Sequence, residues 1–217
     1  MNTLFGWANT VAFQVGQEKI LWTDLVGSLT AILVVLLATK RWLITWPVQI
    51  LSCVLLFAAS LSAHLGGNAA RQVVIAVIAG YGWWKWIRGR KQQEQVPVRW
   101  ARWPERIGML VGLVVGTAGF AWLLSATHAS YAPLPDAYIF IGSLVAFYGQ
   151  ARGWVEFWFV WILVDMVGVP LAYTHGLVVY ASTYVVFFVL CLMGIYAWAR
   201  KSRTAEPRAA EPEGAKA

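Results

Sequence analysis

Between residues 21 and 199 the chain is built from seven predominantly apolar stretches with hardly anything left over. They fall at 21–38, 42–64, 68–87, 106–127, 135–150, 153–174 and 177–199. A membrane-spanning helix takes about 20 such residues, so the expected fold is an all-α integral membrane protein with seven transmembrane helices. Only 12% of the residues are charged, against about 25% in a soluble domain. That composition excludes a soluble enzyme, a secreted scaffold and a disordered regulator. Residues 1–20 precede the first span; Leu4, Phe5, Trp7, Ala8, Val11, Ala12 and Val15 recur there at helical spacing, and the segment is predicted to lie along the membrane interface. No basic start followed by an apolar block and a small-residue cleavage site is visible, so insertion is expected to begin with the first span. The tail, 200–217, rich in Ala, Pro, Glu and Arg, is expected to be disordered.

The net charge of +7 is distributed at the ends of the apolar runs and forms no face or groove suited to nucleic acid. Its arrangement encodes orientation instead, because Lys and Arg accumulate on the cytoplasmic side. With the N-terminus outside, fifteen basic residues fall on the inner side, from Lys40 and Arg41 through the basic linker 88–105 to Arg208 and Lys216. The outer side keeps only Lys19 and Arg71. An odd number of spans is therefore required, with the C-terminus cytoplasmic and the protein in the plasma membrane. Cys53 and Cys191 lie in apolar runs with no Cys or His partner nearby, which supports neither a disulfide nor a zinc site.

The two ends of the chain are related. Gly27, Ser28 and Leu29 fall on Gly142, Ser143 and Leu144, and Trp46 on Trp161, at an offset of 115; further on, Gly82, Trp84 and Trp86 fall on Gly194, Tyr196 and Trp198 at 112. Each unit, 21–87 and 135–199, is three spans long. Two odd units share one orientation only when an odd number of spans separates them, and the linker helix 106–127 supplies it. The result is a 3+1+3 chain of parallel repeats, a transporter plan in which substrate binds near the midplane between halves. The competing explanation is chance matching of residues common in membranes. Gly108, Gly112, Gly116 and Gly119 in the linker helix predict a face for close helix packing, against this bundle or another subunit.

Polar residues inside spans are costly and mark cavities or ion paths. Asp165 is the clearest, near mid-depth of the sixth span, with Trp161 and Trp158 four and seven positions before it on the same helical face. An acid bordered by two indoles suits a flat polar ring: the carboxylate accepts hydrogen bonds and the indoles stack. The alternative is an Asp that merely locks helices, protonated or paired with a Tyr. The first unit offers Trp46, Gln49 and Ser52 at three-residue steps, and Gln72 near the outer end of the third span, flanked by Arg71 and Asn68 that read as interface residues. Tyr184 stands at the repeat position of Gln72, with Tyr180 one turn before it, both with packing as the competing role. Tyr81 is the deepest of a block with Trp83, Trp84 and Trp86 that otherwise resembles an interfacial aromatic belt. His64 and His175 occupy matching outer turns, and Glu156 has Arg152 one turn back to neutralise it. No catalytic, phosphate-cradling or metal-ligating pattern is present, so neither an enzyme activity nor a cofactor is expected.

Several of these residues, in order, resemble the PnuC family of vitamin transporters: Trp46-Pro47-Val48-Gln49-Ile50, Gln72 twenty residues after Ser52, the block Tyr81-Gly82-Trp83-Trp84-Lys85-Trp86, and Glu156-Phe157-Trp158-Phe159-Val160-Trp161 followed by Asp165. The likeness spans 21–199 and implies SWEET-like parallel repeats, facilitated diffusion of nicotinamide riboside, trapping by a cytosolic kinase, and a homo-oligomer such as a trimer. Two positions depart from the pattern, which has Asn in the second and sixth spans where this chain has Ser52 and Asp165. The stretches Gln150-Ala151-Arg152-Gly153, Val164 through Leu171, and Ser62-Ala63-His64-Leu65 are similar instead to the actinobacterial RibM branch, which implies riboflavin. An ionised Asp only accepts hydrogen bonds, and the ring imide and ribityl hydroxyls of riboflavin are donors. The substrate expected is riboflavin, with nicotinamide riboside as the alternative, and a proton-coupled carrier titrating Asp165 or a membrane-embedded enzyme as different classes.

Overall fold

Seven helices occupy the seven apolar stretches: α1 Trp22–Thr39, α2 Thr45–Ser62, α3 Gly66–Arg90, α4 Trp103–Ala126, α5 Pro133–Arg152, α6 Phe157–Thr174 and α7 Val178–Ala205. The computed structural model describes residues 10–15, 18–62, 66–90, 98–130, 132–174 and 178–205. His64, His175, residues 1–9 and 91–97 of the two predicted terminal and linker segments, and the tail from 206 lie outside them. α7 runs through residues 200–205, which the sequence assigns to the tail; its basic last turn complements the helix dipole there.

The segment before the first span differs from expectation. Val11–Val15 (β1) and Glu18–Leu21 (β2) pair antiparallel, with Val15 opposite Glu18 and Phe13 opposite Ile20. Val11, Phe13 and Val15 fit a period of two as well as a helical one. A segment too short to sustain an isolated helix gains backbone partners by forming a hairpin of β-branched and aromatic residues.

Six of the helices close into a ring. α1 packs on α2, α2 on α3, α3 on α5, α5 on α6, α6 on α7, and α7 back on α1; α4 leans on α5 from outside. The outer surface of the ring is apolar, with Leu29, Leu51, Val77 and Met166 exposed along with Leu110 and Val114 of α4, while Ser52, Gln72, Ser143, Gln150 and Asp165 are buried inside. Apolar outside and polar inside is an arrangement water would not tolerate over so large a patch. Two helices among the described residues, Trp103–Ala126 and Tyr184–Arg203, are long and apolar enough on their own to cross a membrane; Leu25–Thr39, Thr45–Ala58 and Phe157–Pro170 are shorter apolar helices.

The glycines of α4 pack within this bundle at one position. Gly116 meets Ile141 of α5, but a methyl group placed on Gly108, Gly112 or Gly119 would touch nothing within 4 Å. Only one edge of α4 faces the ring, so the rest of its small-residue face is left on the periphery.

The two turns that lead into α2 and α6 match residue for residue. Arg41 (φ 59°) and Gly153 (φ 73°) both adopt the left-handed conformation. Arg41 N–H donates to Ala38 O and Trp42 N–H to Leu37 O; Gly153 N–H donates to Gln150 O and Trp154 N–H to Gly149 O. Each is a helix end closed by paired reverse bonds. The carbonyls of Ala38 and Gln150 then accept a second bond from across the ring: Trp198 Nε1 donates to Ala38 O at 3.1 Å and Trp86 Nε1 to Gln150 O at 3.3 Å. Beside these, Trp46 meets Trp86 edge-on (centroids 5.2 Å, 88°) and Trp158 meets Trp198 edge-on (6.0 Å, 85°). Gly82 gives the Trp46 ring room and Gly194 the Trp158 ring. All of these partners are 112 positions apart. The environment of Trp46 is therefore matched by Trp158, and the sequence pairing of Trp46 with Trp161 at 115 is three residues out of register.

The described part of the linker, Val98–Arg102, is strapped to the same end of the ring. Arg99 N–H donates to Gly153 O and Val155 N–H to Arg99 O, both at 3.1 Å. Glu105 accepts from Arg99 in a two-pronged pair (2.7 and 2.6 Å), from Arg102 N–H (2.8 Å) and from Arg152 (3.3 Å). Glu156 is not neutralised by Arg152: the left-handed Gly153 breaks the helix between them, and Glu156 binds Arg106 and Ala101 N–H, each at 2.8 Å. The Arg99 pair above all, partly opposed by desolvation, holds the Glu105 carboxyl far down, at about 2.

Two outcomes are expected. Ala at Gly82 or Gly194 would stand 2.4–2.6 Å from an indole; overpacking of this kind costs about 1–3 kcal/mol. Both variants are expected to unfold at lower temperature in detergent while Gly112→Ala, with open space around it, unfolds like the parent; equal midpoints for all three contradict the packing. A carboxyl depressed on folding stabilises above its unfolded value and loses that contribution as pH falls through the folded one. The parent is therefore expected to lose stability between pH 4.5 and about 2 more steeply than Glu105→Gln, which lacks that titration; parallel pH profiles contradict it.

Candidate functional site

The ring encloses a cavity of ≈ 360 Å³, lined from α1, α2, α3, α5, α6 and α7 and by nothing from α4. That volume lies at the small end of the range of sites for small molecules. One end is apolar and aromatic, with Phe147, Phe157, Trp158 and Trp161. It rests on the indole layer at the end where α3 and α7 finish, in which Trp46, Trp86, Trp158 and Trp198 are each no more than 1% exposed. Toward the other end, polar side chains line the wall: Arg71, Gln72 and Tyr184.

Seven of the nine residues singled out in the sequence line this cavity: Gln49, Ser52, Gln72, Trp158, Trp161, Asp165 and Tyr184. Their roles differ. The Ser52 hydroxyl is tied to Thr30 across the α1–α2 contact at 3.0 Å, and Gln49 Nε2 donates to Cys53 Sγ at 3.5 Å. Trp158 is packed on Gly194 and Phe157 and contributes only an edge of wall. Trp161 is half-buried and meets Phe147 edge-on at 5.2 Å, leaving ring surface on the cavity. Tyr184 lies flat on Gly168, where a methyl group would meet its ring at 2.7 Å. Tyr180 and Asn68 have no described side-chain placement.

Trp46 and Tyr81 are not in the site. Trp46 is wholly buried beneath Gly82. Tyr81 stacks on Tyr148 (centroids 6.1 Å, planes 8° apart) at the linker end. Trp46 is itself part of the indole layer and Tyr81 packs on Tyr148, and neither is among the residues that line the cavity.

Asp165 is 3% exposed, and its Oδ2 is buried with no hydrogen-bond partner. Gln150, also 3% exposed, lines the cavity with its Nε2 in the same condition. Stranding such an atom costs about 1–3 kcal/mol, and a fold that served packing alone would have no reason to retain it. Among the described residues no tyrosine or other group bonds that oxygen. Among the residues that line the site, Asp165 Oδ2 is an unpaired acceptor, and Gln150 Nε2, Arg71 Nε and Trp158 Nε1 are unpaired donors. Sequence reasoning passes over Gln150 and Ser143 and assigns Arg71 to the outer interface. The signal for Gln150 lay in its place 112 positions after Ala38, at the ring-closing turn.

Residues 21–200 match the family of nicotinamide mononucleotide transporters. The chain belongs to this family. The riboflavin/roseoflavin transporter RibM of Streptomyces davaonensis is 44% identical over 200 residues, 91% of this chain and 93% of that protein. The nicotinamide riboside transporter PnuC of Escherichia coli is 22% identical over 219 residues, 89% and 92% of the two chains. The crystal structure of a vitamin B3 transporter PnuC shares the fold, with a TM-score of 0.65 at 20% identity over 84% of this chain and 83% of that one. The PnuC-family resemblance read from the motifs is borne out, and this family member is a membrane protein.

Proposed function

We propose that this protein carries riboflavin across the cell membrane by facilitated diffusion, with phosphorylation inside the cell holding the gradient. The observation that carries the substrate is Asp165: a buried carboxylate oxygen without a partner, beside the Trp161 and Phe147 rings, in a cavity of ≈ 360 Å³. The flat ring stacks on those aromatics, its imide N–H donates to Asp165, and the Gln150 amide donates to a ring carbonyl. The extensive similarity to a relative named as a riboflavin/roseoflavin transporter supports the same choice.

The seven helices each cross the bilayer, N-terminus outside, in a 3+1+3 plan of parallel, SWEET-like repeats. Support comes from the matched turns, indoles and glycines at a constant offset of 112. Opening of the chamber to the linker side requires the Trp86 and Trp198 bonds to part. The open glycine face of α4 suits a homo-oligomer, a trimer being the form considered.

Nicotinamide riboside is the second reading, favoured by the likeness to E. coli PnuC. A proton-coupled carrier is the third, favoured by a carboxyl group inside the ring.

Purified protein in liposomes, loaded with no kinase, separates these. Riboflavin is expected to equilibrate and not exceed the external concentration, with or without a pH gradient; accumulation under the gradient excludes the facilitator. A hydrogen bond to a charged group is worth about 1.5–3 kcal/mol, so Asp165→Asn is expected to shift the preference between riboflavin and nicotinamide riboside by about tenfold or more at normal abundance. Unchanged uptake of both vitamins removes Asp165 from the site.

A further inference from the structure

The cavity contains a second charged group that the binding scheme above leaves unused. Arg71 stands five residues into α3 beside Gln72. It is partly buried and lines the cavity. Its Nε is buried without a hydrogen-bond partner, and among the described residues the ion pairs all lie at the linker end, none with Arg71. Tyr184 is within electrostatic reach of Arg71, Asp165 and Asp136, and of these charges Arg71 and Asp165 line the chamber. Among the described residues that line it, no other is charged.

A guanidinium without a carboxylate partner is expensive to keep inside a membrane protein, and packing does not require it: the next residues of α3, Val73 and Val74, are exposed on the outside of the ring. An intramembrane charge retained at such cost is a functional group by default.

We propose that Arg71 is a specificity residue that rejects cations: it brings the net charge of the chamber to zero and thereby sets the preference for a neutral flavin over an N-ribosylpyridinium. Nicotinamide riboside carries a fixed positive charge on its ring nitrogen. Riboflavin carries none, and its ring carbonyls and ribityl oxygens accept hydrogen bonds from a guanidinium. With Asp165 alone the cavity would attract cations. Arg71 cancels the attraction of the ionised carboxylate with a guanidinium charge that does not titrate. At an effective dielectric constant of about 20 and a separation on the order of 10 Å, one unit charge changes affinity about tenfold or somewhat more.

This inference rests on the chamber being the vitamin site; which vitamin the parent prefers tests the riboflavin reading, and the change on removing Arg71 tests this one. Binding of riboflavin and nicotinamide riboside is measured by quenching of tryptophan fluorescence in purified parent, Arg71→Gln and Arg71→Lys. Arg71→Gln is expected to bind nicotinamide riboside about tenfold more tightly than the parent, with riboflavin bound equally or more weakly, and Arg71→Lys to keep the parental ratio. No gain in nicotinamide riboside affinity in Arg71→Gln overturns the proposal, as does the same gain in Arg71→Lys. A second measurement needs no variant. The reduced, uncharged dihydro form of nicotinamide riboside is nearly the same size as the cation and, in a chamber of zero net charge, is expected to bind the parent at least as tightly; binding about tenfold weaker than the cation overturns the proposal even where Arg71→Gln does not fold.

Discussion

The closing of six helices into a ring is the constraint on which everything else depends. It is made where α3 meets α5 and α7 meets α1, and each seam is fastened by an indole N–H donating to a helix-end carbonyl, Trp86 to Gln150 and Trp198 to Ala38. A carbonyl in the last turn of a helix has no partner further along the helix. Here it receives one bond from its own left-handed turn and a second from the far half of the ring. The bond is modest, about 0.5–1.5 kcal/mol net, but it fixes the register of two helix pairs and seats four buried tryptophans in one layer. That layer forms the floor of the cavity.

Above that floor the ring inverts the arrangement of a soluble protein. Side chains that would face water point inward and those that face outward are Leu, Val and Met. The chamber can then be dry at its aromatic end and polar along one wall, which suits a molecule with a flat ring and a hydroxylated chain. Asp165, Gln150 and Arg71 each keep a polar atom without a protein partner there. Glu105 and Glu156 are paired in their straps, whereas these three unpaired atoms belong to residues that line one cavity.

Much of this was legible in the sequence, and the failures have physical causes. Seven apolar stretches gave seven helices because length and hydrophobicity are local properties. Asp165 was legible because a charge in such a stretch has few tolerable places to go, and Trp161 because it lies one turn away. Trp46 and Tyr81 were misplaced because helical periodicity tells which residues share a face, not how deep that face reaches: Trp46 is part of the indole floor and Tyr81 packs on Tyr148. The counterpart of Trp46 was read three residues too far along because Trp158 and Trp161 are alternative matches for one tryptophan. Only the glycine facing each ring, Gly82 or Gly194, distinguishes them. Arg71 was counted as an outer-surface charge because orientation arithmetic treats a basic residue near a helix end as solvated. The hairpin Val11–Leu21 was missed because three alternating apolar residues satisfy two periods at once.

The central claim is that a carboxylate inside a closed helix ring faces a chamber that receives a vitamin ring. A density map of the purified protein with riboflavin added tests it most directly. The account predicts a flat ligand inside the ring, against Trp161, with its imide edge within hydrogen-bond distance of Asp165. A map of the saturated protein with the ligand elsewhere, or with Asp165 sealed among apolar side chains away from it, would contradict it.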